Sequence, residues 1–166
     1  MKSLLILRHA KSSWNKPGLD DHDRPLNKRG KRDAPRMGRL LASRGLIPDV
    51  ILSSTALRAR TTAEEVARHC GFEGKVQTTS RLYLAGPAEY VAALSRLSGN
   101  PRTVMVVGHN PGLAELVHLL SGEPQRMPTA ALAHIALDID RWSEVRPGLR
   151  GRLLDLWVPK ELPDGL

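Results

Sequence analysis

The chain has 166 residues, a length that suits one domain, 1–166, and that can bury a core without disulfides. Its single cysteine, Cys70, excludes an intrachain disulfide and a thiolate metal cage. The net charge of +8 admits anionic partners, but the densest patch, Lys28-Arg29-Gly30-Lys31-Arg32, has no aromatic residue among its cations, so nucleic acid is not an expected partner.

The N-terminal run Met1–Arg8 is too short for a signal peptide or a membrane span, and no other stretch approaches membrane length. A cytoplasmic location is the default expectation. Ser3–Arg8 reads as a buried strand. Asp33–Ser43 reads as a helix with Met37, Leu40 and Leu41 on one face, Asp33 near its N-cap, Pro35 in its first turn and Gly45 ending it. Val50–Leu52 is a second strand. Ala59, Ala63, Val66 and Cys70 follow helical spacing up to Gly71. Val76–Thr79 is a third strand. Pro87 opens a helix that turns Val91, Leu94 and Leu97 inward. Thr103–Val107 is a strong β run. Pro111–Leu120 is a helix with Asn110 as N-cap and Pro111 at its first position. Leu132–Leu137 and Arg152–Val158 are the last strands, close enough in sequence to be antiparallel.

This alternation predicts an α/β fold, a three-layer sandwich with a mostly parallel central sheet and helices on both faces. Two of its strands echo each other. Leu4-Leu5-Ile6-Leu7-Arg8-His9 ends in Arg-His, and Val104-Met105-Val106-Val107-Gly108-His109 ends in Gly-His. Ligands of open α/β sheets bind beyond the carboxyl ends of the strands. If these strands are neighbours, the two imidazoles face one pocket. Arg8 offers a planar fork of donors for phosphate, and the N-terminus of the helix after Asn110 favours an anion. Arg58, in Ser53-Ser54-Thr55-Ala56-Leu57-Arg58-Ala59, projects toward the same edge, with Arg60 as a competing candidate. Arg8, His9, Arg58 and His109 make a phosphoryl-binding set that needs no metal.

These residues resemble the histidine phosphatase superfamily, which includes the cofactor-dependent phosphoglycerate mutases. The resemblance rests on Arg8-His9-Ala10, Asn15, Asp23-Arg24-Pro25-Leu26 followed by Gly30, the Ser53–Ala59 segment and Gly108-His109, in the family's order. Arg8-His9-Ala10-Lys11-Ser12, Asp21-His22-Asp23-Arg24-Pro25-Leu26, the segment from Val107 to Leu113 and Met127-Pro128-Thr129-Ala130 are similar to the short SixA-type phosphohistidine phosphatases. Between Leu84 and Thr103 there is room for one helix and no lid, so a phosphoglycerate mutase-like fold without the helical lid insertion is implied.

The resemblance implies a metal-independent phosphatase without a cofactor. His9 is its nucleophile and forms a covalent phosphohistidine. Arg8, Arg58 and His109 hold the transferring phosphoryl group, and Asn15 and Asn110 complete substrate binding. The implied substrate is phosphohistidine in a protein, with small phosphomonoesters as the alternative. Many relatives supply a glutamate as general acid after the third strand. Here Arg81–Gly86 holds no carboxylate, and Glu89 belongs to the first turn of the Pro87 helix. Asp20 or Asp21 is the remaining choice of donor. A mutase would need a lid to shelter its intermediate. A non-catalytic phosphate or nucleic-acid binder would not need His9. A metal hydrolase built on His22, Asp20, Asp21 and Asp23 lacks a helix-spaced histidine pair. His69, His118 and His134 read as structural or surface residues.

Overall fold

The computed structural model describes residues 1–166. Six strands, β1 (Lys2–Arg8), β2 (Val50–Ser54), β3 (Gln77–Thr79), β4 (Thr103–Gly108), β5 (Leu132–Leu137) and β6 (Arg152–Trp157), form one sheet in the order β3-β2-β4-β1-β5-β6. β3, β2, β4 and β1 run parallel, and β5 runs against both of its neighbours. The sheet is therefore mixed and mostly parallel, with β5 the one reversed strand.

Four helices cover it: α1 (Lys28–Ser43), α2 (Leu57–Cys70), α3 (Pro87–Ser95) and α4 (Gly112–Ser121). Strand side chains alternate between the faces. Leu5, Leu7, Ile51, Met105 and Val107 meet Met37, Leu41, Ala63 and Val66 of α1 and α2. Leu4, Ile6, Val104 and Val106 meet Tyr90, Leu94, Leu113 and Leu116 of α3 and α4. Cover on both faces explains why β1 and β4 read as unbroken apolar runs. Each fully buried leucine contributes roughly 2 kcal/mol of transfer free energy. Between β3 and β4 the chain forms only a 3-10 turn, Ser80–Leu82, and α3, so nothing covers the carboxyl edge as a lid domain would. No helix is long and apolar enough to cross a membrane.

Local chemistry corrects several boundaries. α1 begins at Lys28, not Asp33, because the Asn27 side chain caps it by accepting from the Gly30 N–H at 2.9 Å. A Cβ on Gly30 would collide with the Lys11 carbonyl, so this residue must be glycine for the helix to start against the loop after β1. Pro35 then falls inside the helix rather than in its first turn. It deprives the Lys31 carbonyl of a partner, but Lys31 is on the exposed side, where solvent serves. Asp33 is buried in mid-helix, with Arg29, Arg32 and Arg36 at 3.6, 3.4 and 3.8 Å from its carboxylate. α4 begins at Gly112, with Pro111 in the capping position, and Asn110 Oδ1 accepts from the Ala114 N–H at 3.3 Å. Leu97 lies just past the end of α3 and is half-buried.

Candidate active site

The parallel pairing of β1 with β4 places Arg8 opposite Gly108. Each strand therefore releases its histidine at the same edge, and the His9 and His109 rings lie 5.1 Å apart between centroids. Gly108 has to lack a Cβ, because the Tyr90 hydroxyl occupies that space and accepts from the His109 N–H at 3.3 Å. The Ala10 N–H donates to Thr62 Oγ1 at 3.0 Å, and Thr62 donates to the Arg58 carbonyl at 2.7 Å. That pair of bonds ties the loop carrying His9 to the helix carrying Arg58.

The His9 Nδ1–H donates to the Ala10 carbonyl at 2.8 Å. A carbonyl can only accept, so the proton sits on Nδ1 and the Nε2 lone pair is left free. Burial is the main force holding the His9 pKa down, to about 3, with His109, Arg58 and Arg8 adding to it. His109 is lowered to about 4, by burial first and Arg58 next. Its Nε2 lies 2.8 Å from Ser54 Oγ.

Both rings are therefore neutral at pH 7. Unfolded, each would take a proton near the ordinary 6.5, so their contribution to stability is complete above that pH. It falls as acid drives the native state toward pKa values of about 4 and 3. Ring-nitrogen NMR should show His9 and His109 still uncharged at about pH 5. A midpoint near the ordinary value for either ring would contradict this geometry.

The arginines are fixed by the backbone and by one acid. Arg8 donates to the Met127 carbonyl at 3.1 Å, and the Asn110 side chain donates to the same carbonyl at 2.8 Å. Arg58 is buried and donates to the Asp21 carbonyl at 2.6 Å and to its carboxylate at 2.9 Å. Arg24 donates to Asp21 at 3.1 Å and to Ser12 Oγ at 2.7 Å. Tyr83 donates its hydroxyl to Asp21 at 2.5 Å and sets its ring edge-on to His109. Three buried polar atoms find no partner in the protein: Arg8 Nε, Arg58 Nε and His109 Nδ1.

A cleft of about 200 Å³ opens here, lined by the cations Arg8, Lys11, Arg24 and Arg58, by His9 and His109, and by no carboxylate. Positive lining with unsatisfied donors and neutral imidazoles is the environment an oxyanion requires. Asn110 lines the cleft. Asn15 is exposed and outside it. Arg60 is exposed, which leaves Arg58 as the arginine of this segment in the cleft.

The expected proton donors do not fit that role. Asp20 is exposed and outside the lining. Asp21 accepts from Tyr83, Arg58 and Arg24, and those donors hold its pKa well below the carboxylate range. It stays ionised and acts as the anchor of Arg58. Glu89 lies in the first turn of α3, away from the cleft. The α4 N-terminus is less open than expected too. The Leu113 N–H is taken by the His109 carbonyl at 3.0 Å and the Ala114 N–H by Asn110. Tyr83, Ser54, Thr62, Arg24 and Trp14 belong to the site without having been singled out. Their signal was partial, since Ser54 and Arg24 sit inside the motif segments with no role attached. No cluster of His, Cys, Asp and Glu side chains is placed to hold a metal ion.

An α/β sheet that ends two neighbouring parallel strands in histidines 5.1 Å apart, in one cleft with Arg8 and Arg58, is the site architecture of the histidine phosphatase class. The model of the histidine phosphatase superfamily (branch 1) matches residues 4–83, and the chain belongs to that superfamily. A structure from Agrobacterium tumefaciens, described as a candidate phosphohistidine phosphatase SixA, superposes with a TM-score of 0.82 at 32% identity, covering 95% of this chain and 98% of that one. The protein histidine phosphatase SixA in complex with tungstate superposes with a TM-score of 0.83 at 25% identity, over 97% of this chain and 99% of that one. A Mycobacterium tuberculosis protein is 34% identical over 165 residues, which is 93% of this chain and 100% of that protein.

Proposed function

We propose that residues 1–166 act as a single catalytic unit, a metal-independent phosphatase that works through a phosphohistidine on His9 and takes phosphohistidine in a protein as its substrate. The observation that carries this reading is the Nδ1–H bond from His9 to the Ala10 carbonyl, which leaves Nε2 as a free nucleophile beside two arginines. The tungstate-bound SixA neighbour supports it, since tungstate is a tetrahedral oxyanion.

His9 Nε2 attacks phosphorus in line, and the Nε2–P bond forms as the bond to the leaving nitrogen breaks. The bonding pair stays on that nitrogen, which takes a proton from solvent. Arg8, Arg58 and His109 hold the equatorial oxygens and offset their charge. Water then attacks phosphorus, the Nε2–P pair returns to His9, and the proton of water passes to solvent. No carboxylate lines the cleft, which favours a labile P–N bond over an alkyl ester whose leaving oxygen needs a dedicated acid. The open edge of the sheet admits a protein surface, and it gives no shelter in which a mutase could reorient its substrate.

Quenching turnover of a radiolabelled substrate by denaturation should leave acid-labile, alkali-stable label on His9. Label elsewhere would sink the reading. A phosphohistidine peptide should also be turned over at least about tenfold faster, in kcat/KM, than a sugar phosphate, a gap of roughly 1.4 kcal/mol in the barrier. The reverse preference would make the enzyme a small-molecule phosphomonoesterase.

A further inference from the structure

Trp14 and Leu84 have no part in the chemistry above. Both line the cleft beside His9, Arg58 and His109. Both are apolar side chains left in solvent, Trp14 being 72% exposed and Leu84 58%. The other two tryptophans are packed, with Trp142 buried and Trp157 partly so. Large apolar groups at the mouth of a polar cleft contribute nothing to the core, and they mark a surface that meets something else.

Trp14 is not loosely placed. The Arg24 guanidinium lies 3.5 Å from the centre of the Trp14 ring. That guanidinium is itself pinned by Ser12 and Asp21, so one face of the indole rests on a fixed cation while much of the ring stays open. Leu84 reaches the mouth from a backbone at φ 50°, a left-handed conformation that leucine seldom adopts.

We infer that Trp14, in the same cleft as the exposed Leu84, is a specificity-determining surface for the leaving group, and that it selects a flat ring such as imidazole. The inference rests on the phosphatase reading given above. The cations of the cleft take the phosphoryl group and have no need of an aromatic neighbour. What remains at the mouth is the group bonded to phosphorus. A flat ring stacks on the open indole face and sheds water from both surfaces. A hydrated polyol gains nothing there.

Phosphohistidine and phosphoramidate share the P–N bond, but only the first carries a ring. Wild-type protein should therefore show a higher kcat/KM for phosphohistidine. In Trp14→Ala the ratio of the two kcat/KM values should fall about 3- to 10-fold, the size of an aromatic stacking contribution. Trp14→Phe should restore most of it. Any slackening of Arg24 in the alanine variant weakens both donors alike and cancels in the ratio. An unchanged ratio in Trp14→Ala overturns the inference, as does a wild type that labels His9 equally well from both donors. A wild type that takes label from neither donor ends the phosphatase reading itself, which is a different failure.

Discussion

Replacing His9 by alanine should reduce hydrolysis by about four orders of magnitude or more, since loss of a covalent nucleophile removes the whole two-step route. The variant should still bind phosphate. The cleft keeps Arg8, Arg24, Arg58 and Lys11, and His9 is neutral, so its removal subtracts no positive charge. Loss of turnover with retained phosphate binding, measured by initial rates with phosphohistidine and by calorimetry with inorganic phosphate, separates a missing nucleophile from a collapsed pocket. The fold should survive as well. His9 is held by one bond from its own ring, while the neighbouring backbone is fixed independently through the Ala10–Thr62 bond and the His9 N–H to Gly108 carbonyl bond at 3.1 Å. Retained hydrolysis in the alanine variant would show that another group attacks phosphorus.

The pair of strand-end histidines was legible because two local signals coincide. Unbroken apolar runs mark strands covered on both faces, and in such sheets the site lies past the carboxyl ends. The register of β1 against β4 supplies the rest. That the last two strands run antiparallel was legible from their short link, but that β5 is the reversed one follows only from its antiparallel pairing with β1. The start of α1 was not. Its cap, Asn27, is an ordinary polar residue, and the need for glycine at Gly30 comes from the Lys11 carbonyl packed against it. Asp33 beside Pro35 imitates a helix start, and only the three arginines around it reveal a buried mid-helix carboxylate.

The surroundings of the acids were illegible for a related reason. A carboxylate near the site in sequence invites a proton-donor role, but its protonation state is set by groups that converge on it in space. Asp21 is bonded to Arg58 and to Tyr83, the latter 62 positions away. Neither bond leaves a periodic trace. Tyr83 follows a 3-10 turn next to the edge strand, where a single aromatic carries no pattern at all. What the sequence conveys well is which backbone positions converge. What it conveys poorly is which donors a given side chain accepts from.

Arg58→Ala should then cost about 10²–10³ in kcat, on the order of 3 kcal/mol, because one preorganised donor to the transferring oxygens is lost. Arg58→Lys should recover only a part of this. Lysine brings the charge but lacks the fork that grips both the Asp21 carbonyl and its carboxylate. Asp21→Asn is the informative companion, since it leaves the guanidinium in place and weakens its anchor. Its loss should be smaller than that of Arg58→Ala and should appear in kcat more than in KM, as expected for poorer alignment in the transition state. The imidazoles report the same change. Removing the Arg58 charge should raise the pKa of His9 and of His109, but burial is the larger cause in both, so neither ring should return to its ordinary value. A variant that loses activity while both histidines titrate unchanged would mean that Arg58 does not share their electrostatic field, and the geometry of the whole site would have to be redrawn.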